Sequence, residues 1–135
     1  MRHLVAYVAA AVVFFGLDFV WLGLVAKSTY RSWIGHLMRD EIHAVAAILF
    51  YLVYVVGLVI FAVAPALKDS AWQTAALYGA LFGFFAYGTY DLTNLATLRG
   101  WSVSVTVVDM AWGAILTASS SLAGFLAARW LSGQP

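Results

Sequence analysis

The chain has no cysteine, only two prolines and very little charge: seven Lys and Arg and six Asp and Glu among 135 residues. Without thiols there is neither a disulfide scaffold nor a zinc–thiolate centre. The scarcity of charge excludes a disordered chain, which needs charge in place of apolar residues. A net charge of +1 leaves no basic footprint, so no nucleic-acid partner is expected. No phosphate-cradling glycine loop, nucleophile elbow or H-E-x-x-H helix occurs, so no cofactor is expected and no catalytic residue declares itself. What is abundant is apolar: 64% of the residues are hydrophobic, against about 45–50% in a soluble domain. A chain this short leaves much of its surface exposed and cannot hide that excess from water. The composition therefore points to a small polytopic membrane protein.

A membrane crossing takes about 20 mostly apolar residues. Four windows meet that length: Leu4–Ala26, Ala44–Ala64, Ala71–Leu98 and Val103–Leu131. They are continuously apolar instead of alternating, which excludes barrel strands. The expected fold is an all-α integral membrane protein. Its four transmembrane helices form an up-down-up-down bundle, one domain over residues 1–135, with both termini on one side. The first window is too long for a signal peptide's apolar region and contains Asp18 and Trp21, so it reads as a retained span. Between the first two windows, Tyr30, Trp33, Ile34, Leu37 and Met38 recur at helical spacing with polar residues between them. This predicts a short amphipathic helix lying in the interface. Pro65 to Asp69 reads as a turn, and Ser70-Ala71-Trp72-Gln73 as a capping box opening the third helix. Arg99, Gly100 and Ser102 predict a tight antiparallel hairpin between the third and fourth helices.

Three carboxylates fall inside these windows: Asp18, Asp91 and Asp109. An aspartate at a helix centre costs roughly 2.5–3.5 kcal/mol on insertion scales and normally faces the bundle interior. Counted from Lys27, Arg99 and Trp101 at 1.5 Å per residue, each lies roughly 12–14 Å from the same membrane face. Asp91 and Asp109 are expected to face each other across the hairpin, with Asp18 approaching from the first helix. Three carboxylates at close range in low dielectric cannot all stay ionised without a cation or strong donors, so at least one is expected to hold a proton near neutral pH. Asn94, Tyr87, Tyr90, Trp21 and Trp112 are the candidate donors around them. The same cluster also reads as a structural hydrogen-bond network that fixes helix register.

Small residues form two stripes. Gly79 and Gly83 make a G-x-x-x-G step, and Gly113, Thr117 and Ser121 follow on the last helix. Such stripes pack helices inside a bundle or join two copies in a homodimer. His36 and His43 flank Asp40 and Glu41 and are weak candidates for a metal, but no metal site is expected at their spacing.

The chain resembles the bacterial predicted-membrane-protein family catalogued as domain of unknown function 2177. The resemblance rests on Leu17-Asp18-Phe19-Val20-Trp21-Leu22-Gly23, on Tyr90-Asp91-Leu92-Thr93-Asn94-Leu95-Ala96-Thr97-Leu98, on Gly100-Trp101 and on Asp109-Met110-Ala111-Trp112-Gly113. It implies a multi-pass protein of the bacterial inner membrane and brings no established activity with it.

Three functions fit. One is a membrane-embedded site for a proton, a cation or a polar lipid head group. A second is a non-catalytic accessory subunit of a larger membrane complex. A third, an enzyme using two aspartates as acid and base, lacks an identifiable nucleophile, so the reading leans against an enzyme. Membrane lipids are the expected partners. Lys27, Arg31, Arg39 and Arg99 on the first and third loops outnumber Arg2, Lys68 and Arg129 opposite, which favours termini outside.

Overall fold

The computed structural model describes residues 1–133, whose regular elements are all helical, with no strand among them. Helix α1 (Arg2–Val20) runs into a π-helical turn at Trp21–Val25. A short α2 (Lys27–Ile34) follows, then a single 3-10 turn at Gly35–Leu37. Helix α3 (Ala44–Leu58) passes through a second π-helical turn (Val59–Val63) into α4 (Ala64–Asp69) without a break. The last two helices are the long α5 (Trp72–Thr97) and α6 (Val103–Leu131).

Three of these stretches are long and apolar enough to cross a membrane: Arg2–Val25, Ala44–Asp69 and Val103–Leu131. Helix α5 has 26 residues, about 39 Å at 1.5 Å per residue. Its glycines, tyrosines, threonines and Asp91 keep its apolar character below that of the other three.

Helix α6 is the centre of the assembly, with α5 along one side of it and α1 along another. The main core joins Ala6, Ala10 and Phe14 of α1 to Val55 and Leu58 of α3 and to Leu116 and Phe125 of α6. Gly79 and Gly83 lie buried against α6. A methyl group on Gly83 would run into the carbonyl of Gly113, and one on Gly79 would come within 2.7 Å of the Ser121 hydroxyl. The G-x-x-x-G stripe is thus spent inside the chain and offers no face for a homodimer. Large apolar side chains such as Val8, Val12, Phe19, Ile48, Val53, Phe85 and Ile115 point outward.

The connections differ from the sequence expectation in one place and follow it in another. Pro65 does not end the second apolar stretch, because the π-helical turn just before it leaves room for a residue that cannot donate an N–H. The chain turns at Ser70 instead, which adopts the left-handed conformation at φ 55°. Ser70 therefore closes α4, and the expected capping box does not form: α5 starts at Trp72, with Ala71 at its N-cap position and no side-chain cap. The Ser70 carbonyl accepts an N–H from Arg129. The second hairpin turn forms as the sequence predicts. Gly100 has φ 79°, and the Ser102 hydroxyl accepts from the Val105 N–H at 3.2 Å.

Helix α2 occupies the amphipathic segment but stops at Ile34. Tyr30 and Ile34 are buried against Ala26 and Val105, whereas Leu37 and Met38 fall beyond the helix and are exposed.

Candidate functional site: a carboxylate cluster facing a helix-lined cavity

Asp18, Asp91 and Asp109 come from three different helices and all line one cavity of about 450 Å³. The packing pattern explains why it exists. The π-helical turn at Val59–Val63 approaches both α5 and α6, but the backbone of α3 over Ala44–Leu58 comes close chiefly to α1 and reaches α5 and α6 only through side chains near its end, such as Tyr54. The first half of α3 therefore stands away from the bundle. The gap is closed at the loop end by Tyr30 and Ile34 of α2 and by Trp101. Leu22, Phe50 and Tyr90 line the cavity and are also solvent-exposed, so they form its rim.

The three carboxylates are held very differently. Asp18 is 5% exposed and accepts from two donors, the Tyr51 hydroxyl and the Trp112 indole N–H at 3.1 Å. Asp109 accepts one hydrogen bond, from the Tyr30 hydroxyl at 3.0 Å. That hydroxyl in turn accepts from the Trp21 indole N–H at 3.3 Å. Asp91 is 0% exposed, and neither carboxylate oxygen has a hydrogen-bond partner among the described residues. The carboxyl of Asp109 lies directly beside it.

Asp18 and Trp21 on one helix, and Asp109 and Trp112 on the other, share the same three-residue spacing, and the two pairs are crossed. Each tryptophan serves the aspartate of the other helix, Trp112 directly and Trp21 through Tyr30. The two indoles stack with centroids 4.4 Å apart and planes 10° from parallel. Asp18 is level with Trp112 and Asp109 with Trp21. The carboxylates on α1 and α6 are consequently offset by about one helical turn, roughly 4.5 Å for three residues.

The other expected residues divide. Tyr87 lines the cavity, with its ring packed over Gly113 so closely that no side chain fits there. Tyr90 lines it too and meets Trp101 edge-on at 5.7 Å. Asn94 is not part of the cavity wall and lies next to Tyr90. The two histidines are apart in role. The His36 ring lies against Gly100, and His43 Nδ1 accepts from the Ala46 N–H at the start of α3. No group of three metal-binding side chains occurs among the described residues.

Sequence reading missed the tyrosines that do most of the bonding. Tyr30 was assigned only to an apolar stripe, yet burial and then the Asp109 charge push its phenol well above the usual value, so it stays a donor. Tyr51 and Tyr54 lie one turn apart deep inside the second apolar window. A tyrosine that far from either end cannot reach water and must find a partner in the bundle, which was the available signal. Tyr54 shares a hydrogen bond with Thr117 at 2.8 Å.

Chemically, each oxygen of Asp18 accepts one hydrogen bond. Asp91 and Asp109 are less well provided, and both residues line a space with no Lys, Arg or His in its wall. A carboxylate pair in such surroundings can hold a proton or pair with an external cation.

The sequence profile of the family described as "Predicted membrane protein (DUF2177)" matches residues 3–126. No curated protein and no solved structure matches the chain.

Proposed function

Because the chain belongs to this DUF2177 family of predicted membrane proteins, we propose that it is a four-span protein of the bacterial inner membrane. In this reading its buried carboxylate cluster is a site for a proton, a cation or a polar head group. The fourth crossing is α5. Its Ala75, Gly79, Gly83, Tyr87 and Asp91 face α6 and the cavity, while Leu77, Leu81, Phe84, Phe85 and Leu92 face outward, which suits a lipid-contacting helix with a low average hydropathy. Helix α2 lies in the interface, and the loop basic residues favour the first and third loops inside.

One observation carries the site. Asp91 is completely buried, has no donor, and lines the cavity beside Asp109. A carboxylate kept only to fix register would be bonded as Asp18 is, since an unsatisfied buried charge costs far more than a hydrogen-bonded one. The accessory-subunit reading calls for a dry, fully bonded cluster, and Asp91 does not fit that.

A hydrophobic carbodiimide tests the reading. It partitions into lipid and adds covalently to protonated carboxyls. With the protein in lipid nanodiscs, dicyclohexylcarbodiimide should modify Asp91 well ahead of Asp18, as read by peptide mass spectrometry. An Asp91 that is untouched in the folded bundle, or labelled no faster than Asp18, overturns the proposed site.

A further inference from the structure

We propose that the occupant of this cavity is an organic cation with an apolar body, an amine or quaternary ammonium amphiphile, and that it enters in exchange for the proton shared by Asp91 and Asp109. The inference rests on the site reading above and adds the ligand's class and the ion it displaces.

Charge comes first. Lining the cavity with Asp91 are Asp109 from α6, which lies beside it, and Asp18 from α1. The remaining titratable groups around it are phenols: Tyr30 from α2, Tyr51 and Tyr54 from α3, and Tyr87 and Tyr90 from its own helix. None supplies positive charge. Asp18 has its two donors, so the uncompensated pair is Asp91 with Asp109. An anionic head group would add charge of the same sign and is excluded by repulsion.

Size and wall chemistry then separate an organic cation from a metal ion. A hard cation such as Ca²⁺ takes six to eight oxygens at close range. Here the helix carbonyls are engaged within the helices, and among the described residues no group of three metal-binding side chains is arranged for it. The cavity volume of about 450 Å³ falls within the range of small-molecule pockets. Its wall is largely aromatic, with Phe50 and Trp101 beside the tyrosines. Aromatic faces around a carboxylate suit an alkylammonium, which gains from the ring quadrupole and keeps little hydration to lose.

The rim indicates the route. Leu22, Phe50 and Tyr90 belong to three helices, and the part of α3 that carries Phe50 stands off from α5. The ligand reaches the pair sideways, from the bilayer, and its apolar body remains among Ala47, Phe50 and Ala86.

The exchange balances. Before binding, the pair holds one proton and carries one negative charge. The cation enters, the O–H bond of the shared proton breaks, and the proton passes to bulk water. The pair then carries two negative charges and the ligand one positive charge, so the site keeps its net charge.

The test uses the full chain in lipid nanodiscs, with empty nanodiscs subtracted. Benzyltrimethylammonium is titrated calorimetrically beside its uncharged carbon isostere neopentylbenzene and the anion benzylsulfonate. Repeating the titration in two buffers of different ionisation enthalpy counts the protons released. The expected result is saturable binding of the ammonium alone with about one proton released. Affinity should rise up to tenfold per pH unit while the pair is protonated. In Asp91→Asn, which keeps the side-chain shape, affinity should fall at least tenfold and proton release should vanish. The wild-type proton count stands independently of whether that variant folds. Equal binding of the neutral isostere, or ammonium binding with no proton released, overturns the exchange. So does an absence of binding at an Asp91 that the carbodiimide labels. An Asp91 that the carbodiimide cannot reach overturns the underlying site reading instead.

Discussion

Helix α5 is two different helices in one. Its first half, through Ala75, Gly79 and Gly83, lies flush on α6 with no room for a methyl group. Its second half, from Ala86 to Asp91, faces the cavity, with Tyr87, Tyr90 and an unbonded carboxylate. The same helix pair therefore seals one end of the bundle and opens the other. The difference lies in the third partner. Where the π-helical turn of Val59–Val63 presses in, the bundle is closed, and where α3 diverges, it is not. Without a hydrophobic driving force between helices in lipid, close packing of small residues is what holds a bundle together. In the proposed reading the closed end anchors the bundle and so allows the other end to carry an energetically costly site.

The largest effect is expected at the closed end. Gly83→Leu places a branched side chain against the Gly113 backbone and the Thr117 side chain, neither of which can retreat far. Overpacking typically costs 1–3 kcal/mol even when side chains can adjust, and here it meets backbone. We expect Gly83→Leu to lose most of the folded protein, read as the monodisperse peak in fluorescence-detected size exclusion. Wild-type yield and melting temperature in this variant would show that the α5–α6 seam does not hold the bundle.

The next effect separates the carboxylates. Asp18→Ala removes the acceptor of both Tyr51 and Trp112 and strands two half-buried donors, at about 1–3 kcal/mol each. A fall of about 3 kcal/mol in unfolding free energy is expected, followed in detergent through the tryptophan fluorescence. Tyr30→Phe should cost less, about 1 kcal/mol, because it removes one hydrogen bond to Asp109 and leaves a half-buried carboxylate that retains access to the cavity. If Tyr30→Phe proved the more damaging, Asp109 and not Asp18 would be the structural carboxylate.

The sequence carried the helices and the presence of carboxylates inside them, but not their division of labour. The apolar windows over Ala44 and Val103 begin where α3 and α6 begin, because the length of an apolar run and a Ser102 cap are local properties. Pro65 misled because its disruption is absorbed by a neighbouring π-helical turn that no local pattern announces. Asn94 was a candidate donor from its i,i+3 relation to Asp91, yet Asp91 has none. The donors that matter reach across helices, Trp112 to Asp18 over 94 positions and Tyr30 to Asp109 over 79. Helical spacing sees neighbours on one helix only. Likewise the cavity arises from the divergence of α3, a relation among three helices that no single segment encodes.

The smallest effect on stability belongs to the residue expected to matter most for ligand binding. Asp91→Asn changes one oxygen into an NH₂ at nearly constant volume. The wild-type carboxyl has no donor to lose, so the substitution strands no protein group. It also removes a charge, or a shared proton, from a fully buried position, and the new amide can donate to Asp109 beside it. Relieving one of two neighbouring carboxylates is favourable in low dielectric, while the polar amide that replaces it is still buried and opposes the gain. The balance should leave unfolding free energy within about 1 kcal/mol of wild type, with a melting temperature equal to or above it. The contrast with Asp18→Ala is the sharpest form of the comparison between the sealed and the open parts of the molecule. A loss of 3 kcal/mol or more in Asp91→Asn would mean that Asp91 is bonded as tightly as Asp18. The open end would then be a second structural seam, with no vacancy for a ligand.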